Sequence, residues 1–272
     1  MTGRPADTPN AADRAASGAV EAVLLDIDGT LLDSNDAHAQ AWSDTLEEAG
    51  LQIGSETVRP LVGMGADKLL PQLTGIEADS EQGKQLVERR KEIFSKEYLP
   101  SVRPFPHAND LLARMRADGL RLVVATSASE DELKGLLEAL GAEWLLDEAT
   151  SSSDAESSKP DPDIVRVAID KAGVGNERCV MLGDTPYDVE AAGRARVRIV
   201  ALRGGGWGDD ALKDAAEIYD DPAELLARYD ESAIGRGVRA SRATTAEGRG
   251  RAGNPSGEGK SRGQEESHAD GV

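Results

Sequence analysis

An α/β fold, a doubly wound open parallel sheet with a small all-helical unit inserted after its first strand, is the class this sequence predicts. Two observations and one rule carry it. Short apolar runs of strand length recur along the chain, and they alternate with helix-length amphipathic segments. Residues 36–100, by contrast, hold helical patterns with no strand pattern of comparable quality. Strands separated by helices of this length pair in parallel through right-handed crossovers.

The first strand is the apolar run 20–25, which ends at Asp26. Ala39, Trp42, Leu46 and Ala49 then fall at three- and four-residue spacing, Leu69, Leu70 and Leu73 precede Gly75, and Leu86, Ile93, Phe94 and Tyr98 line a further helical face. After the Pro-Phe-Pro at 104–106 the pattern changes. Leu111, Leu112 and Met115 mark a helix stopped by Gly119, and LRLVVAT (120–126) reads as a strand. Leu133, Leu136, Leu137 and Leu140 form a helix before Gly141, and 144–146 reads as a short strand. Ile164, Val165, Ala168 and Ile169 form the next helix, CVML (179–182) a strand, Val189, Ala192 and Ala195 a helix, and VRIVAL (197–202) another strand. The core is expected at 20–35 and 105–228, with the helical unit at 36–104. Residues 1–19 and 229–272 are small, polar and Gly-rich, so both ends are expected to be disordered.

Charge bounds the partners. The net charge is −19, and residues 229–272 hold seven acidic and seven basic side chains, residues 1–19 two of each. The whole excess therefore lies in 20–228, 41 acidic against 22 basic residues. A field of that sign disfavours nucleic acid and anionic membrane. Cys179 is the only cysteine, which excludes an intrachain disulfide, and no uncharged run approaches 18 residues. A cytoplasmic location is the expectation.

Polar groups gather at strand ends, where open parallel sheets bind ligands. Asp26 and Asp28 follow the first strand, Thr126 and Ser127 the second, and Gly183-Asp184-Thr185 the strand at 179–182, with Asp188 four residues on. A loop holds Lys159-Pro160. Crowded carboxylates repel unless a cation sits among them, and an oxygen-only set suits a hard ion such as Mg²⁺. A lysine and a hydroxyl would complete a pocket for a phosphoryl group.

The set DIDGT (26–30), AT (125–126), KP (159–160) and GDTPYD (183–188) resembles the haloacid dehalogenase-like (HAD) hydrolase superfamily, in its Asp-x-Asp phosphatase branch, over roughly residues 20–228. The resemblance implies a Rossmann-like core and a Mg²⁺-dependent phosphatase acting on a small phosphorylated metabolite of the phosphoglycolate or sugar phosphate type. It makes Asp26 the nucleophile that forms an aspartyl-phosphate, and Asp28 the general acid and then base. It places Mg²⁺ on Asp26, the backbone carbonyl of Asp28, and Asp184, with Asp188 in support. Thr126 and Lys159 would hold phosphoryl oxygens, Ser127 competing with Thr126 for the hydroxyl position. The insertion at 36–104 resembles the cap that closes over such a site and carries specificity.

One alternative is a phosphosugar mutase, since the spacing from Asp26 through Asp33 and His38 to Trp42 looks like that of the β-phosphoglucomutase branch. Against it, Ala66 stands where that pattern carries a cap arginine, and Lys68 is the one substitute nearby to bind substrate. A dehalogenase is disfavoured because that branch lacks the second Asp. A non-catalytic binding protein on the same fold is the remaining alternative.

Overall fold

Successive strand residues point to opposite faces of a sheet, and here both faces are apolar. The computed structural model describes residues 18–251. Among them, six parallel strands run in the order β3-β2-β1-β4-β5-β6: β1 (Ala22–Leu25), β2 (Arg121–Ala125), β3 (Glu148–Thr150), β4 (Cys179–Gly183), β5 (Arg198–Leu202) and β6 (Glu217–Tyr219). Val23, Leu25, Leu122, Val124, Val180 and Leu182 share one face with α5 (Ala108–Ala117) and α6 (Glu130–Leu140). Ala22, Leu24, Val123, Cys179 and Met181 share the other with α7 (Asp163–Ala172) and α8 (Pro186–Arg194). Each fully buried Val or Leu contributes about 1.5–3 kcal/mol. Chain order reverses between β1 and β4, so the crevice beyond their carboxyl ends is where a ligand is expected.

Between β1 and β2 lie α1 (Asn35–Glu48), α2 (Ser55–Val58), α3 (Ala66–Thr74), α4 (Glu81–Ile93) and a π-helical turn at Phe94–Tyr98. Ala39, Trp42, Leu46, Val58, Leu69, Leu70 and Leu86 give this layer an apolar cluster of its own. That separate cluster is what the 3.6-residue periodicity over 36–100 predicts.

Three expectations are corrected. Residues 144–146 are no strand: Glu143–Leu145 is a 3₁₀ turn with Trp144 78% exposed, and the strand is Glu148–Thr150. A three-residue strand carrying Glu and Thr has too little pattern to be seen locally. The edge strand β6 escaped for the same reason. Nor does the core stop at 228. Tyr229, Ala233, Ile234 and Val238 are buried in the main cluster, on a 3₁₀ turn and on a helix spanning Ala233–Arg251. Gly235 and Gly237 interleave with these apolar residues and hide the periodicity, yet a Cβ on Gly237 would lie 2.2 Å from Val20 Cγ2. Their smallness is the packing. The expectations for 1–17 and 252–272 lie outside the described residues.

Candidate active site

Asp26 and Asp184 are neighbours because β1 and β4 are. Leu25 is in register with Leu182, and Asp26 N–H donates to Leu182 O at 2.9 Å. The chain then leaves β1 through Gly29, whose φ of +76° favours glycine. A Cβ there would also lie 2.2 Å from Asp184 Oδ2. Thr185 caps α8, and Asp188 closes the capping box with Oδ2, which accepts from Thr185 N–H at 3.0 Å and from the Thr185 hydroxyl at 2.7 Å. Its other oxygen, Oδ1, lies 2.7 Å from Lys159 Nζ. The bland capping role of Asp188 and the site role therefore coexist on one carboxylate.

Lys159 is 1% exposed and pairs with both Asp26 and Asp188. Asp26, Asp184 and Asp188 each offer an oxygen within 4.8 Å of the others. Thr30 Oγ1 donates to Asp184 Oδ1 at 2.8 Å, and Asn35 Nδ2 to Asp184 Oδ2 at 2.9 Å. Burial pushes the Asp26 carboxyl up to about 7, Asp188 and Asp28 adding to it while Lys159 pulls the other way. Burial and the charges of Asp188 and Asp26 raise Asp184 well above the carboxylate range. Burial opposes the Lys159 charge, but Asp188 and Asp26 hold its ammonium above the usual value. Three buried acids thus share one buried ammonium. Such a surplus stays ionised only with a further cation, so the residues present fit a divalent ion held by oxygen.

Asp28 belongs elsewhere. Its carboxylate, which is not one of the three that converge, accepts from Ser34 Oγ at 2.6 Å and pairs with His38 Nε2 at 2.8 Å. The expected metal contact of Asp28 is its backbone carbonyl, which these side-chain contacts leave untouched. Arg90 Nη2 lies 2.7 Å from His38 Nδ1. Arginine only donates, so Nδ1 accepts and the ring proton sits on Nε2, donating to Asp28. His38 stacks on Phe94 with centroids 4.0 Å apart. Burial would raise Asp28, but His38, Ser34 and Arg90 bring it below its ordinary value. With protein groups alone acting, the two carboxyls therefore differ in the sense opposite to the roles expected of them. A cation among Asp26, Asp184 and Asp188 favours their charged forms and restores a bare Asp26.

Asp26, Asp28, Thr126, Ser127 and His38 line a cavity of about 320 Å³ between core and helical layer. Thr126 Oγ1 accepts from Ala128 N–H at 3.1 Å, which leaves its O–H free to donate, and Ser127 Oγ is buried with no partner. Lys68 is corrected: it does not line this cavity. Its Nζ donates to Ser158 O at 2.8 Å and Asp161 Oδ2 at 2.6 Å, tying α3 to the loop that carries Lys159. Trp42 belongs to the layer's cluster and also lines the cavity.

Sequence reasoning missed Arg90, Glu132, Asn35 and Gly205. Arg90 sits in the run ERRKE (88–92), where nothing local separates it from solvated neighbours. Gly205 stands in the glycine loop at 204–208, and a Cβ on it would lie 1.7 Å from Asp184 Oδ2. That loop is a wall of the acidic site.

The model of the haloacid dehalogenase-like hydrolase family matches residues 23–202. The chain belongs to that family. A phosphoglycolate phosphatase of Rhodospirillum rubrum is 30% identical over 214 residues, covering 75% of this chain and 89% of that protein. The Arabidopsis thaliana protein SUPPRESSOR OF QUENCHING 1, chloroplastic, is 33% identical over 195 residues, 68% of this chain, but the match spans only 18% of that protein's length. Among solved structures, a hydrolase from Pseudomonas syringae superposes with a TM-score of 0.73 at 28% identity, covering 78% of this chain and 98% of that one. This HAD-like chain is thus a phosphoric monoester hydrolase by kinship, and no described helix is long and apolar enough to cross a membrane.

Proposed function

We propose that this HAD-like protein is a Mg²⁺-dependent phosphatase that hydrolyses a small phosphomonoester through an aspartyl-phosphate on Asp26. The observation that carries this is the buried group of Asp26, Asp184 and Asp188 beside one ammonium, opening on a cavity whose lining includes the hydroxyls of Thr126 and Ser127. Asp26, Asp184 and the Asp28 carbonyl would hold the ion, which when bound neutralises phosphoryl charge. An Asp26 oxygen attacks phosphorus, and the P–O bond to the leaving alcohol breaks while Asp28 supplies its proton. Asp28 then takes a proton from water, which attacks the same phosphorus and releases Asp26 and phosphate. Lys159, Thr126 and Ser127 hold phosphoryl oxygens. Asp188 holds Lys159 and supports the ion's ligands. The proton on His38 Nε2 keeps Asp28 turned into the cavity.

The helical layer at about 36–104 acts as a cap that excludes water until the first transfer is complete. A cytoplasmic location and a small-metabolite substrate complete the proposal. Hydrolysis of an aryl phosphate with and without Mg²⁺ tests it: Asp26→Asn should lower kcat by at least roughly 10⁴-fold at unchanged folding, as loss of a nucleophile does. Undiminished turnover refutes Asp26. The second reading, a phosphosugar mutase, rests on the His38–Asp28 contact, and β-glucose 1-phosphate separates them by yielding glucose 6-phosphate instead of free phosphate.

A further inference from the structure

On the leaving-group side of the cavity, each cation that could receive a second anion already has a carboxylate. Arg90 reaches in from α4 between the rings of Trp42 and Phe94, 5.4 Å from each centroid. Its Nη1 pairs with Glu132 of α6, at side-chain exposures of 12% and 8%, and its Nη2 serves His38. Its Nε is buried and has no hydrogen-bond partner. Lys91 lines the same wall with Nζ 3.6 Å from Glu88 on its own helix. Lys68 is bound to Asp161 and Ser158 outside the cavity. Asp67 and Glu156 add two more negative charges to the lining. Ala66, in the same lining, adds no charge.

Of these pairs only Arg90–Glu132 is buried on both sides, Glu88 being 68% exposed; that pair offers an incoming anion no net charge, and displacing Glu132 would strand it in a site where an unpaired charge is costly. We infer that the phosphomonoester taken by this site has a leaving alcohol without a second anionic group, as in a polyol or sugar monophosphate, and that Glu132 is the specificity-determining residue because it neutralises Arg90. This rests on the phosphatase reading and narrows it: a carboxylate-bearing ester such as phosphoglycolate, or a bisphosphate, is the poorer substrate.

The test compares kcat/KM for glycerol phosphate, phosphoglycolate and a sugar bisphosphate in the wild-type chain and in Glu132→Gln. The wild type should favour glycerol phosphate by tenfold or more over both anionic esters. Glu132→Gln, which keeps shape and frees Arg90, should narrow that ratio at least tenfold through a lower KM for the anionic esters. A wild-type preference for phosphoglycolate or the bisphosphate overturns the inference while leaving the phosphatase reading intact. So does an unmoved ratio in a Glu132→Gln protein with wild-type circular dichroism. The wild-type comparison decides alone if the variant does not fold. Absence of turnover on every ester removes both readings together.

Discussion

The two walls of the cavity handle charge in opposite ways. The core wall, at the ends of β1 and β4, gathers three buried carboxylates around one ammonium and leaves negative charge uncompensated. The wall contributed by the helical layer pairs its buried charge, Arg90 with Glu132 of the core, and beyond the cavity Lys68 reaches across to Asp161 in the same way. Uncompensated buried charge is costly and persists where a ligand completes it, whereas matched pairs fix geometry and refuse further ions. The comparison teaches which wall is built to react and which to choose.

Removing the second carboxylate tests the reactive wall hardest after Asp26 itself. Asp28→Asn should lower kcat by about 10²–10⁴-fold, the usual contribution of a general acid, with aryl phosphates of good leaving groups affected less. Comparing rates on aryl and alkyl esters checks this. Next comes Lys159→Met, which leaves Asp26 and Asp188 without their counter-ion. It should destabilise the fold by about 3–5 kcal/mol, read from urea unfolding at neutral pH. Added Mg²⁺ should restore part of that loss through binding to the native state.

A subtler strike at the same wall is Gly205→Ala. The new Cβ meets Asp184 Oδ2 at 1.7 Å, so Asp184 must move. The Mg²⁺ concentration for half-maximal activity should rise about 10–100-fold, the range for a disturbed ligand support. An unchanged metal titration would detach Asp184 from the ion.

The paired wall predicts the smallest effect, and it is a pH effect. Burial raises Glu132, but Arg90 outweighs it and holds the carboxyl below its usual value. A carboxyl lowered in the folded state adds stability above its unfolded pKa of 4.5, and that stability is lost as pH falls through the lower folded value. The wild type should therefore lose about 1–3 kcal/mol in acid that Glu132→Gln lacks, the range for a charged hydrogen bond. Thermal melts from pH 6 down to 3 compare the two, and parallel profiles would show the pair to be inert.

What the amino-acid sequence by itself determined was everything with a local period or a fixed neighbour. The apolar strand runs, the helical stripes with their glycine stops, and the acids and hydroxyls placed directly after strands all follow from a few adjacent residues. Asp26, Asp28, Thr126 and Asp184 stood out because a strand end aims its next side chains into the crevice, whereas Lys159, in a loop, stood out only by the Lys-Pro of the resemblance. Tertiary structure alone decided which charges meet. Arg90 is 42 residues from Glu132, and Lys68 is 93 from Asp161, so no spacing rule connects them. It also turned residues 229–238 into core, because Gly237 lets the helix press against Val20 only after the sheet exists to press upon. Pairing and close approach are properties of assembled surfaces, and a one-dimensional pattern has no term for them.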